Sequence, residues 1–168
     1  ADAVYMGLKD STNARNFAGL NFDHAQAREG IAYAHAKGAQ VLMALNTFVD
    51  AREPERWWHA VDVAADIDAD ALICADTAVL GYARDHHPRL HLSVQASATT
   101  SEAIEFYRER FGIQRAVLPR VLTLPQVGQL CANTKAEIEV FGFGSLCVMV
   151  EGRCALSSYV TGQSPNTA

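Results

Sequence analysis

The chain has 168 residues, of which 49% are hydrophobic and 20% are charged, and its formal net charge is −5 at pH 7. This length and composition suffice for one globular domain with a buried core, and they exclude a disordered segment. No apolar run is long enough to cross a membrane, and the acidic balance argues against a nucleic-acid-binding face, which needs positive charge.

Short apolar runs alternate with helical patterns along the whole chain. Most of these runs are hydrophobic throughout rather than alternating with polar residues, which is typical of parallel strands covered on both faces. In chain order, we predict strands at 3–7, 40–46, 71–75, 90–96, 116–118 and 138–143.

Residues that favour helix starts stand between the predicted strands. Asp23, followed three residues later by Gln26, matches a capping box. Beyond Pro54, the spacing of Trp57 and Trp58 indicates that these side chains pack in the core. The predicted helices run from Asp23 to 37, from Pro54 to Ala64, from Asp76 to His86, from Thr100 to Phe111 and from Thr123 or Leu124 to Leu130.

Six strands separated by single helices indicate an α/β fold with a parallel sheet. Two closures remain open, an open doubly wound sheet and most of a (β/α)8 barrel. Segment 7–10 is not a glycine-rich phosphate fingerprint, which disfavours a nucleotide-binding sheet. A complete barrel usually needs roughly 200 residues or more. The chain also begins without Met inside an apolar run, so we expect residues 1–168 to form one partial barrel domain of a longer chain.

Polar residues gather directly after the predicted strands, where barrel active sites are built. Arg15 and Arg120 could hold a carboxylate through paired hydrogen bonds. Lys9 could bind an anion or form a Schiff base with pyridoxal phosphate, and a solvated surface charge is the alternative for each. The predicted substrate-binding residues are Lys9, Asn13, Arg15, Asn46, Gln95 and Arg120.

Two cysteines, Cys147 and Cys154, lie seven residues apart in a glycine-rich segment that can bend. Thiolates are the preferred ligands of iron–sulfur clusters, but this spacing alone is a weak signal and favours two unrelated core thiols. Cys74 lies in an apolar run and is predicted to be a core residue, and Cys131 at a helix end is predicted to be a core or surface thiol rather than a ligand. The six histidines form no ligand pair, and no Ser or Cys protease constellation is recognisable.

The run from Glu139 through Cys147 and Cys154 to Tyr159 resembles the signature of the collagenase-like peptidase family U32. The resemblance extends over essentially the whole chain. The opening 1–7 is similar to the second strand of that family, and segments 7–10, 12–15, 17–22, 93–97 and 118–121 resemble its UbiU branch, which serves ubiquinone biosynthesis without O2.

The resemblance implies a partial (β/α)8 barrel whose first strand and last strands lie outside this chain. It also implies a 4Fe-4S cluster for which Cys147 and Cys154 supply two of four ligands, the others lying beyond Ala168. The expected function is hydroxylation of a quinone-precursor ring, with prephenate as oxygen donor. The expected partner is a UbiV-like paralogue in a cytoplasmic heterodimer.

RNA-hydroxylating members of the family carry a His-Gly-Ala-Leu-Cys motif where this chain has Phe143-Gly-Ser-Leu-Cys147. This departure and the negative charge favour the quinone branch. Three alternatives remain: a peptidase of the same family, a non-catalytic partner that stabilises its paralogue, and, more remotely, a pyridoxal-phosphate enzyme.

Overall fold

A computed structural model describes residues 1–16, 19–144 and 155–162. Within these residues, six parallel strands form one sheet whose spatial order is their order along the chain. The elements are β1 (Ala3–Gly7), α1 (His24–Ala36), β2 (Gln40–Leu45), α2 (Glu55–Asp66), β3 (Ala71–Cys74), α3 (Thr77–His86), β4 (Leu90–Leu92), α4 (Ser101–Phe111), β5 (Arg115–Val117), α5 (Leu124–Asn133), β6 (Glu137–Glu139) and α6 (Ala155–Thr161).

The sequential strand order decides between the two closures. Crossovers between parallel strands are right-handed. When each new strand pairs at the same edge of the sheet, all the connecting helices therefore lie on one face of the sheet. The sheet curls into half of a barrel, as expected from the sequence. A doubly wound sheet would instead reverse its strand order at a central switch point.

The core lies between the outer face of the sheet and the helices. Alternate strand residues such as Met43, Leu45, Leu72 and Leu92 are fully buried there. Trp57 of α2 packs into the same core, as its spacing predicted. Full burial of a leucine or methionine side chain stabilises the fold by about 1.5–3 kcal/mol. No helix among the described residues is long and apolar enough to span a membrane.

Side-chain caps begin α1 and α3 where the sequence predicts them. The Gln26 backbone N–H donates to Asp23 Oδ1 at 2.9 Å, and the Asp23 N–H donates to Gln26 Oε1 at 3.1 Å, which confirms the capping box. Asp76 accepts from the Ala78 N–H at 2.6 Å and also from the Val49 N–H at 3.2 Å. The Asp76 carboxylate therefore caps α3 and binds the backbone at Val49, which is a structural role.

Several predicted boundaries differ from the structure. The strand predicted at 90–96 ends at Leu92, because the Ser93 hydroxyl accepts from the Gln95 N–H and turns the chain into a 3₁₀ helix over Val94–Ala96. The last strand ends at Glu139, since its pairing partner β5 ends at Val117. The short helix α6 had no sequence prediction.

Gly81 lies inside α3, and a Cβ built on it would meet no atom within 4 Å. We expect Gly81→Ala to raise the free energy of unfolding by about 0.5–1 kcal/mol, because alanine restricts the unfolded chain. Gly38→Ala is the control. Its φ of +75° is costly for alanine, so this variant should lose stability. Urea unfolding measures both, and equal losses in the two variants would contradict the helix assignment.

Candidate functional site

A pocket opens on the inner face of the curled sheet, around the carboxyl ends of its strands. Its volume is about 110 Å³. An engineered cavity of about 150 Å³ holds one benzene molecule, so the pocket has room for no more than a single ring. It is lined by Tyr5, Asn13, Arg15, Ala44, Asn46, Ile73, Ser93, Val94, Gln95, Val117, Arg120, Glu139 and Phe141.

The structure brings five of the six predicted binding residues to this pocket. They are Asn13, Arg15, Asn46, Gln95 and Arg120. Lys9 lies outside it, in a surface pocket with Asp23 and His24. The preceding residue, Leu8, is buried, and the Lys9 N–H donates to the Phe22 carbonyl at 2.9 Å, which leaves Lys9 exposed. This placement gives no support to a Schiff base in the main pocket.

The loop after β1 packs directly against the backbone of Gly7. A Cβ on Gly7 would lie 2.0 Å from Asn13 Nδ2, so only glycine admits the buried Asn13 carboxamide. Asn13 Nδ2 donates to Asn21 Oδ1 at 2.8 Å, and Asn13 Oδ1 accepts from the Arg15 N–H at 3.0 Å. Both ends of the Asn13 side chain are thus used to shape the loop that carries Arg15.

The end of β2 forms a second anchor for the same loop. Asn46 Oδ1 accepts from the Ala14 N–H at 3.0 Å. The Thr47 hydroxyl donates to the Ser11 carbonyl at 2.7 Å and accepts from Trp57 Nε1 at 3.1 Å. The buried Trp57 thereby ties the outer helix layer to the rim of the pocket.

Charges of both signs line the pocket. The Arg120 guanidinium carbon lies 4.6 Å from the centroid of the Phe141 ring, within the range of a cation–π contact. Arg115 donates to Glu139 at 3.1 Å and to Glu137 at 2.8 Å, so the Glu139 carboxylate is paired on one side. Arg15 is exposed at the rim.

Sequence analysis missed eight residues that line the pocket, of which four are polar or aromatic: Tyr5, Ser93, Glu139 and Phe141. Tyr5 and Glu139 lie inside predicted strands. A polar or aromatic residue at an inward-facing strand position is the sequence signal that could have identified them as pocket residues. Their side chains face inward because they alternate with residues that pack on the helices.

His91 is buried on β4, two residues before Ser93. Burial, together with the positive charges of Arg115 and Arg89, lowers the pKa of His91 to about 4, although Glu137 acts in the opposite direction. The imidazole is therefore neutral near pH 7, and it adds no positive charge to this face of the sheet.

The described cysteines do not fit a cluster site. Burial raises the pKa of the Cys74 thiol to about 12, so it stays protonated, and Cys74 is a core residue as predicted. Cys131 is exposed on α5. Among the residues that the structure describes, no group of three or more His, Cys, Asp or Glu could hold a metal. Cys147 and Cys154 lie outside the described residues.

Comparison with known proteins gives consistent matches over the whole chain. The model of peptidase family U32 matches residues 1–168. An uncharacterized protease of Methanocaldococcus jannaschii is 37% identical over 99% of this chain and 41% of its own length. The tRNA hydroxylation protein P of Escherichia coli is 32% identical over 99% of this chain and 37% of its own length. A collagenase of Porphyromonas gingivalis is 29% identical over 99% of this chain and 42% of its own length.

A solved structure of a U32 peptidase superimposes with a TM-score of 0.67 at 14% identity, covering 83% of this chain and 60% of that one. At that identity the likeness shows the fold. The chain spans about two fifths of the length of the curated relatives named above.

Gly7→Ala tests the contact that shapes the pocket loop. The added methyl group overlaps the Asn13 carboxamide, so we expect a loss of about 1–3 kcal/mol in the free energy of unfolding. Gly30→Ala is the matched control, because its Cβ would lie 3.7 Å from Met6 Cε, an ordinary contact. In the double variant with Asn13→Ala the two losses should not add. Additive losses would show that the two residues do not interact.

The buried His91 predicts a pH-dependent stability. Its folded-state pKa of about 4 lies below the ordinary value of 6.5. As the pH falls, this imidazole is therefore protonated in the unfolded chain before it is protonated in the folded one. Stability is complete above pH 6.5 and is lost as the pH falls toward 4.

Between pH 6.5 and 5, above the range where carboxylates titrate, we expect the loss attributable to His91 to be about 1–2 kcal/mol. His91→Gln should remove that part of the slope, whereas His59→Gln, on an exposed helix position, should keep it. Urea unfolding across this pH range measures the effect. Equal slopes in both variants would contradict it.

Proposed function

The chain belongs to peptidase family U32, and we propose that it is part of an iron–sulfur protein that supports O2-independent hydroxylation of a quinone-precursor ring in ubiquinone biosynthesis. The observation that carries the proposal is the pocket at the strand ends. It combines the volume of one ring with five polar side chains that the sequence had singled out.

The walls of the pocket suit an aromatic ligand. Tyr5 and Phe141 line it, and aromatic side chains pack on rings in offset or edge-to-face arrangements. The small volume favours a single ring over an extended peptide or a folded RNA element. A base flipped out of an RNA would also fit, but the formal net charge of −5 opposes the phosphate contacts that RNA binding requires.

The cations of the pocket suit a carboxylate. Arg15 and Arg120 both line it, and a guanidinium can hold a carboxylate through two parallel hydrogen bonds. Prephenate carries two carboxylates, so this pair supports prephenate as the oxygen donor. In this proposal Asn13 and Asn46 keep the Arg15 loop in place rather than touching the reacting atoms.

The cofactor in this proposal is a 4Fe-4S cluster with Cys147 and Cys154 as two of its ligands. The remaining ligands would come from the part of the protein beyond this chain. When bound, such a cluster supplies one-electron chemistry. In this proposal the described residues of the pocket bind and orient the precursor ring or prephenate, one molecule at a time. A UbiV-like paralogue is the proposed partner.

Relatives support the hydroxylation chemistry and also a second candidate. One relative is named for tRNA hydroxylation, which is the same class of reaction on a different ring. Others are named as a protease and a collagenase, so peptide hydrolysis is the competing function. Ser93 has a hydroxyl in the pocket, but its Oγ accepts from the Gln95 N–H and makes no hydrogen bond to a described His, Asp or Glu side chain.

The test uses the full-length protein, purified without O2 together with its paralogue. Incubated with a phenolic quinone precursor, prephenate and a two-electron acceptor, which takes up the two electrons released when the prephenate oxygen replaces a ring hydrogen, it should yield a product one oxygen heavier by mass spectrometry. Cys147→Ala should abolish this product and the visible absorbance of the cluster, whereas Cys131→Ala, on exposed α5, should retain both.

Three outcomes would contradict the proposal. Cleavage of gelatin by iron-free protein would favour the peptidase. Normal product from a cluster-less Cys147→Ala protein would indicate a partner that only stabilises its paralogue. Retained absorbance in anaerobically purified Cys147→Ala protein would show that Cys147 is not a ligand.

A further inference from the structure

The carboxamide of Asn46, directly after β2, joins the pocket to the loop that carries Arg15. Asn46 lines the pocket and is half-buried. Its Oδ1 accepts from the Ala14 N–H at 3.0 Å, and Ala14 directly precedes Arg15 in the chain. Because a backbone N–H can only donate, the oxygen of the carboxamide and not its nitrogen faces Ala14. This contact therefore fixes which end of the Asn46 side chain is turned toward the loop.

The other end of the Asn46 carboxamide is a hydrogen-bond donor that the fold does not use. No described residue accepts from Asn46 Nδ2, and unlike Gln95 Oε1 this nitrogen is accessible to solvent. Asn13 in the same loop differs, since its Nδ2 donates to Asn21 Oδ1 at 2.8 Å. With Oδ1 held by the loop, Asn46 Nδ2 is the end of the side chain that is available to a ligand in the pocket.

The charged residues that line the pocket differ between its two sides. Arg15 follows β1 and Asn46 follows the neighbouring strand β2, and no described acidic residue lines the pocket on that side. On the other side the carboxylate of Glu139 lines the pocket with Arg120, whose guanidinium carbon lies 4.6 Å from the centroid of the Phe141 ring. An anion there meets a like charge, whereas an anion beside Arg15 meets a cation and a donor. The β1–β2 side therefore favours an anion.

We propose that Asn46 Nδ2 and Arg15 together form the subsite for the carboxylate of the bound one-ring ligand. A carboxylate can accept from a guanidinium and from an amide N–H at once, because its two oxygens offer about four acceptor sites. The ring then extends from the β1–β2 side toward Arg120 and Phe141. Asn46 thus contacts the carboxylate of the ligand and not its reacting atoms. This inference rests on the proposed function and deepens it, since it assigns the orientation of the ring.

The test measures binding of one-ring probes to the full-length protein, so that it stands apart from the hydroxylation assay. The probes are 4-hydroxybenzoate and 4-hydroxybenzamide, which have similar size and differ in the charge of the group that the subsite receives. We expect the wild type to bind 4-hydroxybenzoate at least about tenfold more tightly, because hydrogen bonds to a charged acceptor are stronger than those to a neutral one.

Asn46→Asp removes the donor and keeps the loop contact, since an aspartate oxygen still accepts from the Ala14 N–H. Its negative charge repels the carboxylate. This variant should therefore lose at least about tenfold in affinity for 4-hydroxybenzoate and bind 4-hydroxybenzamide within about threefold of the wild type. Asn133→Asp, at an exposed position on α5, adds the same charge outside the pocket and should behave like the wild type.

The two arginines of the pocket give a second comparison, which does not depend on the folding of Asn46→Asp. Arg15→Gln should weaken 4-hydroxybenzoate binding more than Arg120→Gln does, because the carboxylate lies at Arg15. Arg15 is exposed at the rim, so its substitution should leave the fold intact. Urea unfolding of each variant checks that the comparison is made between folded proteins.

Equal affinities of the wild type for the two probes, or an undiminished preference for 4-hydroxybenzoate in Asn46→Asp, would overturn the inference. An equal or larger loss in Arg120→Gln than in Arg15→Gln would also overturn it. Failure of the wild type to bind either probe would overturn it as well. In each of these cases, product formation in the hydroxylation assay would still support the proposed reaction.

Discussion

The contact between the Cα of Gly7 and the carboxamide of Asn13 is the constraint on which the candidate site depends. A single methyl group at Gly7 would occupy the space of Asn13 Nδ2. Asn13 Oδ1 in turn accepts from the Arg15 N–H. The position of Arg15, a cation of the pocket, therefore depends on the lack of a side chain at Gly7, the last residue of β1. Asn46 and Thr47 hold the same loop from the next strand. The strand ends and the loop therefore form one hydrogen-bonded unit.

This unit explains how an acidic chain can bring two arginines to one pocket. The net charge of the chain is −5, yet Arg15 and Arg120 face one pocket whose volume is about 110 Å³. Glu139 faces it too, but beside Arg115. A half-barrel sheet brings these residues together because the carboxyl ends of parallel strands meet at one edge.

The strand and helix pattern could be predicted from sequence because it depends on local signals, namely apolar runs and caps such as Asp23 with Gln26. Strand ends were less accurate where a side chain competes for the backbone, as Ser93 does at the end of β4. The outward position of Lys9 depends on its bond to Phe22, and the inward position of Tyr5 depends on the closure of the sheet. Neither position can be predicted from the spacing of neighbouring residues in the sequence. The roles of Cys147 and Cys154 stay predictions.

The most direct measurement is a crystal structure of the full-length protein grown without O2 and soaked with 4-hydroxybenzoate. The account predicts density for the ring in the pocket at the strand ends, with its carboxylate at Arg15 or Arg120 and with Asn13 packed on Gly7. Density for the ring elsewhere, or a pocket loop detached from Gly7, would contradict the account.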